Sequence, residues 1–186
     1  MSNRGGASED KRAIILAAAV RVFAREGYHD ARVGDIAKEA VLEAVFRETW
    51  GAMLTAIRSV EDRGGPATDQ LRRVCAIVLG SWATDPDLIR VLVREVVRSP
   101  QIQREIDEIA QAFAALERII VRGQKEGTFT AELGSRTVAW MLYGALEEIL
   151  TGWVMGQLPD GEDDVAEAER AVVAVFSGGL RPTDSE

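Results

Sequence analysis

The chain has 186 residues, enough to bury a substantial core in one domain or two small ones. It is 47% hydrophobic and 28% charged, an ordinary globular composition, and its one cysteine excludes an intramolecular disulfide. The net charge of −8 argues against a general nucleic-acid coat, but the charge is uneven: residues 1–40 hold seven Lys/Arg against six Asp/Glu, and the remainder fifteen against twenty-four.

The first eight residues and the last few have tail composition. No apolar h-region opens the chain and no apolar run approaches bilayer-spanning length. A cytoplasmic protein without membrane attachment is expected.

In chain order, the pattern reads as helices separated by short breakers. The first helix is expected over about Glu9 to Glu26, with Ser8 as cap, Ile15, Ala19, Val22 and Phe23 as the apolar stripe, and Gly27 as stop. A short second helix covers about Val33 to Ala40. A longer pattern, Val41 to Glu61, turns Leu42, Phe46, Trp50, Met53, Ile57 and Val60 inward, and Asp62-Arg63-Gly64-Gly65-Pro66 closes it.

The next helix, about Ala67 to Thr84, buries Leu71, Val74, Cys75, Val78 and Trp82, with Cys75 as a small hydrophobe. Asp85-Pro86 is a cap with proline at the first helical position, so another helix runs to about Arg98. Ser99-Pro100 repeats the device before a strongly periodic helix carrying Ile102, Ile106, Ile109, Phe113, Leu116 and Ile120, which Gly127 stops. Helices over about Ser135–Gln157 and Glu162–Gly178 complete the chain. No strand-period segment competes, so the fold class is all-α.

The expected organisation is a tail at 1–8, a small N-terminal domain at 9–45, a larger helical domain at 46–180 and a tail at 181–186. The last two helices each carry an apolar face. Leu142, Ala145, Ile149 and Trp153 on one, with Val172 and Phe176 on the other, are the expected contacts of a homodimer built as a shared four-helix bundle. The alternative is that both faces are filled within one subunit. Gly144, Gly152 and Gly156 are permissive for close helix approach.

Three N-terminal segments carry a resemblance: Ile15-Leu16-Ala17-Ala18-Ala19; Val22-Phe23-Ala24-Arg25-Glu26-Gly27-Tyr28; and Val33-Gly34-Asp35-Ile36-Ala37. Phe23 is expected in the core, Tyr28 as a plug, and Val33, Ile36 and Ala37 as the docking face of the second helix. The pattern resembles the tetracycline-repressor (TetR) family of regulators. That resemblance implies a helix-turn-helix domain on double-stranded operator DNA, with a recognition helix in the major groove.

Here the resemblance stops halfway. By the family pattern a turn and an aromatic-rich recognition helix should follow Ala40, and roughly fifteen to seventeen residues of it are missing. Arg32 also departs from the Ser or Thr that caps the second helix in the family. Two readings of the Ala40–Val41 joint stand. In one, the segment belongs to the protein and has been closed out of the sequence; a repressor frame around a clean excision favours this. In the other the bond is real, and one long helix runs from about Val33 to Glu61 without a DNA reader. The Arg32-Val33-Gly34 frame is then all that is left to touch DNA.

The C-terminal half is similar to the TetR subgroup that controls fatty-acid degradation, through Gly123-Gln124-Lys125-Glu126-Gly127-Thr128-Phe129, Trp140 to Ile149, and Trp153-Val154. That resemblance implies an acyl-coenzyme A thioester as effector. Trp50, Leu54, Trp82, Phe113, Trp140 and Tyr143 are the candidate pocket residues, against the alternative of ordinary core packing. Arg90, Arg94 and Arg98, at i, i+4, i+8, are candidate phosphate contacts, against the alternative of a solvated face paired with Glu95 and its neighbours.

No catalytic residue, metal site or cofactor is expected. His29 is the sole histidine, and no Ser–His–Asp set or phosphate loop is apparent. Glu147 and Glu148 are adjacent on a helix and point about 100° apart, so they make no acid–base couple. One is expected at a polar spot between helices and the other in solvent. The sequence therefore supports a ligand-responsive homodimeric repressor on a palindromic operator. If the Ala40–Val41 bond is genuine, the alternative is a dimeric helical binding module without DNA binding.

Overall fold

The computed structural model describes residues 15–16, 19–20, 22–24, 27–30, 35–96 and 107–181. Every regular element among them is a helix. The first, α1, has its described helical residues between 15 and 24. It is followed by α2 (Asp35–Arg63), α3 (Ala67–Thr84), α4 (Pro86–Val96), α5 (Asp107–Lys125), α6 (Ser135–Val154) and α7 (Glu162–Gly179). Ser8, Arg32, Val33, Gly34, Arg98, Ser99, Pro100, Ile102 and Ile106 lie outside the described residues, as do the side chains of Ile36 and Ala37.

Helix α2 is one unbroken element of 29 residues, roughly 43 Å long. It passes through Ala40 and Val41 without a turn. This is the long helix that a directly bonded Ala40–Val41 joint implies. The physical reason lies in the sequence: no glycine or proline interrupts residues 35–50, and apolar residues keep helical spacing across the joint. The expected domain boundary at 45/46 falls inside this helix.

Two apolar clusters form. The smaller one buries Leu16, Val20 and Phe23 of α1 against Leu42, Val45 and Phe46 of α2 and Val91 of α4. This corrects the expected stripe: Ile15 is 58% exposed, and Leu16 and Val20 take the inward positions. Gly27 ends α1 as expected, at φ +81° with its N–H donating to the Phe23 carbonyl at 2.9 Å. Tyr28 then sets its ring edge-on to Phe23, centroids 5.4 Å apart. Its backbone N–H donates to the Glu95 carboxylate at 3.3 Å. Glu95, 2% exposed, is a core residue that ties α4 to the turn after α1.

The larger cluster lies among α2, α3, α4, α5, α6 and α7. α5 packs along α2 and α6, while α7 lies mainly along α3 and touches α6 much less. Asp85 caps α4 as the sequence indicates, its Oδ1 accepting the Leu88 N–H at 3.0 Å. Glu126 caps a neighbour instead: its Oε2 accepts the Ala67 N–H at the start of α3, at 3.2 Å. After α5 the chain doubles back, and the Phe129 ring lies directly on Gly123, where a Cβ would collide with it. Of the three glycines expected to permit close helix approach, Gly152 instead admits Leu158, from the turn that follows its own helix. Gly144 faces open space, and Gly156 serves a turn at φ +66°.

Candidate ligand-binding site

Between α2, α3, α4, α5 and α6 the chain leaves a cavity of about 100 Å³, partly open to solvent. Its lining is nearly all carbon. Trp50, Met53 and Ile57 come from α2, Ile89 and Leu92 from α4, and Phe113 and Leu116 from α5. Val74 and Val78 of α3 and Tyr143, Leu146, Glu147 and Leu150 of α6 complete the wall. The helical period places them there: Trp50, Met53 and Ile57 are three and four residues apart and share one face of α2.

The structure brings together three of the six expected pocket residues, Trp50, Phe113 and Tyr143. The Tyr143 ring lies between the other two, at 4.5 Å from Phe113 and 6.3 Å from Trp50. Leu54 is buried in the core and does not line the cavity. Trp82 lies outside it as well, 5.9 Å from the Trp153 ring and with the Arg90 guanidinium 5.1 Å above it. Trp140 is 55% exposed on the outer face of α6 and stacks on Phe113. There it lines a separate recess with Arg136 and Glu117.

The arginine stripe is divided. Arg90 donates to Asp87 at 2.8 Å, and Arg94 donates to the Ala24 carbonyl at 3.2 Å, holding the end of α1. Neither lines the cavity. Of the expected dimer contacts, Leu142, Trp153 and Val172 are buried inside the single chain, and Ala145, Ile149 and Phe176 are partly buried. The outward faces of the same helices carry Met141, 61% exposed, and Val175, 68% exposed.

The polar edge of the cavity falls on the Glu147–Glu148 pair, one expected at a polar spot between helices and the other in solvent. Glu147 lines the cavity, half-buried, while Glu148 is exposed. Burial raises the Glu147 carboxyl above the ordinary range, Glu148 adds to the rise, and a hydrogen bond from the Tyr143 hydroxyl opposes it. Burial likewise raises the Tyr143 hydroxyl, with Glu147 contributing. The i, i+4 spacing of these two residues was the available signal. Cys75 is fully buried, and desolvation pushes its thiol up to about 12, which leaves it an inert core residue.

Trp50 and Leu92 pack against both apolar clusters. The cavity wall and the seat of α1 are therefore neighbouring turns of the same two helices, α2 and α4. This is a small-molecule cavity built next to an N-terminal helical frame, the layout of a regulator with a sensing domain.

Family comparison agrees. Residues 15–44 match the bacterial regulatory proteins of the tetR family, and residues 46–169 match the YsiA-like C-terminal region of such proteins. The chain belongs to the TetR family, whose members are transcriptional regulators and not enzymes. A curated relative, the fatty acid metabolism regulator protein of Bacillus subtilis (strain 168), is 26% identical over 184 residues, covering 89% of this chain and 93% of the relative. The aligned span is longer than the covered share of this chain can fill, so part of the relative has no counterpart here. Among solved structures, the fatty acid degradation regulator FadR from Bacillus halodurans is similar, with a TM-score of 0.79 and 27% identity over 93% of this chain and 97% of its own. FadR from Bacillus subtilis, solved in complex with stearoyl-CoA, has a TM-score of 0.77 and 25% identity over 90% and 98%.

Proposed function

We propose that the protein is a cytoplasmic, homodimeric regulator of transcription whose effector is a long-chain acyl thioester, and that it acts on genes of fatty-acid metabolism. The observation that carries this reading is the apolar cavity walled by α2, the helix that also seats α1. The relative solved with stearoyl-CoA supports the choice of ligand. Among the described residues no helix is long and apolar enough to cross a membrane.

In this reading the acyl chain enters the cavity and shifts Trp50 and Leu92, which pack against both clusters. The dimer forms through the outward faces of α6 and α7, around Met141 and Val175. Arg32, Val33 and Gly34 present the frame to a palindromic operator, and the phosphates of the effector meet arginines of the α4 stripe. A ligand releases DNA only if it binds the DNA-incompetent spacing better.

A second reading is favoured by the continuity of α2 through Ala40–Val41: a dimeric acyl-binding module without operator affinity. Selection of bound duplexes from a random pool by the intact chain, with and without palmitoyl-coenzyme A, separates the two. A regulator enriches a palindrome and loses it on adding the thioester. Absence of enrichment selects the module. Under the first reading Trp50→Ala also alters the response of operator binding to the thioester.

A further inference from the structure

One polar atom at the cavity lacks a partner. Trp50 Nε1 is out of solvent and donates to nothing. The other hydroxyls of the lining are engaged. Thr49 Oγ1 donates to the Val45 carbonyl at 2.8 Å, Ser81 Oγ to the Val78 carbonyl at 2.6 Å, and the Tyr143 hydroxyl to Glu147. A buried donor without an acceptor costs about 1–3 kcal/mol, so an unpartnered N–H on a residue that lines the cavity is a place for an acceptor to arrive.

We infer that Trp50 Nε1 is the group that reads the ligand's head: it donates to the neutral carbonyl oxygen of an acyl group whose hydrocarbon chain fills the cavity. This rests on the acyl-binding reading above and adds to it the atom that is recognised and its charge state. An indole N–H donates only, so the partner must be an acceptor. The partner is neutral because Glu147 borders the same cavity. Its carboxyl is half-buried beside Glu148, and a ligand carboxylate would bring a like charge into low dielectric. A thioester carbonyl meets both conditions and a free fatty acid fails the second. Because Trp50 also packs against the α1 cluster, the atom that recognises the head sits where the ligand can move α2.

The test uses the intact chain and three probes of equal chain length: palmitoyl-coenzyme A, the hexadecyl thioether of coenzyme A, which lacks only the carbonyl, and palmitate. By titration calorimetry the wild-type chain is expected to bind the thioester about tenfold more tightly than the thioether, the worth of one ordinary hydrogen bond. In Trp50→Phe that ratio falls to near one, whatever the change in the affinity for either probe. A ratio near one in the wild-type chain overturns the inference without any variant, and so does a tenfold ratio that persists in Trp50→Phe. Palmitate binding as tightly as the thioester overturns the requirement for a neutral head. If the wild-type chain binds neither the thioester nor the thioether, the acyl-binding reading itself falls, and the inference with it.

Discussion

Phe113 stacks on Trp140, ring centroids 4.4 Å apart and planes 23° from parallel, and forms a wall common to two spaces. On one side is the apolar cavity. On the other is the recess lined by Arg136, Glu117 and the exposed indole. Removing this ring joins the two. Phe113→Ala is expected to cost about 2 kcal/mol of stability, less than a fully buried phenylalanine because the residue is half-buried. It is also expected to speed dissociation of a bound acyl thioester. Denaturant melts and stopped-flow displacement check the two parts separately.

Glu147 gives the fold a pH dependence of defined sign. Its carboxyl is raised in the folded chain, chiefly by burial, so the folded state holds this proton more tightly than the unfolded state does. The contribution is present below the ordinary value of 4.5 and is lost as the pH rises through the raised value. Glu147→Gln removes the ionisation while keeping an acceptor for the Tyr143 hydroxyl. The variant should lose less stability than the wild-type chain between about pH 4.5 and neutrality. Parallel denaturant titrations over that interval measure the difference; identical slopes contradict it.

Gly123 is required by contact rather than by backbone freedom. The Phe129 ring, 1% exposed, occupies the space a Cβ would need. Gly123→Ala should destabilise the chain by about 1–3 kcal/mol through overpacking. It should also loosen the neighbouring ties, in which Gln124 Nε2 donates to the carbonyls of Thr130 and Leu133. Thermal melts and amide exchange at Thr128 and Phe129 report both effects.

The continuity of α2 has a chemical test independent of coordinates. If Ala40 and Val41 are bonded, tryptic digestion of the purified protein releases Glu39-Ala40-Val41-Leu42-Glu43-Ala44-Val45-Phe46-Arg47 as one peptide, because it lies between Lys38 and Arg47. Finding that mass confirms the joint. Two flanking peptides with further residues between them would restore a separate recognition segment.

Much of the fold was legible because strong local signals agree with the packing. Asp85-Pro86 opens α4, Gly27 and Gly127 close α1 and the turn after α5, and Leu71, Val74 and Cys75 are buried at helical spacing. Legibility failed where the choice between neighbouring apolar residues depends on a distant partner. Leu16 and Val20, not Ile15, meet Leu42 and Val91, and an amphipathic pattern in an alanine-rich helix does not fix that phase. The site was half legible for a related reason. Aromatic content picked out Trp50, Phe113 and Tyr143, but equally Trp82, whose partner Trp153 lies about 70 residues away in the chain. Glu95 was read as a solvent-side acid paired with the arginines. It is buried instead, because the Tyr28 N–H from another helix end supplies its hydrogen bond.

The regulator reading stands on an acyl chain occupying the cavity among α2 to α6. Calorimetric titration of palmitoyl-coenzyme A into the intact wild-type chain and into Val78→Trp, which puts an indole into the cavity wall, tests it most directly. Saturable binding at a single site per chain is expected, weakened about tenfold or more by the variant. Absence of saturation in the wild-type chain, or equal affinity in a folded Val78→Trp, would contradict it.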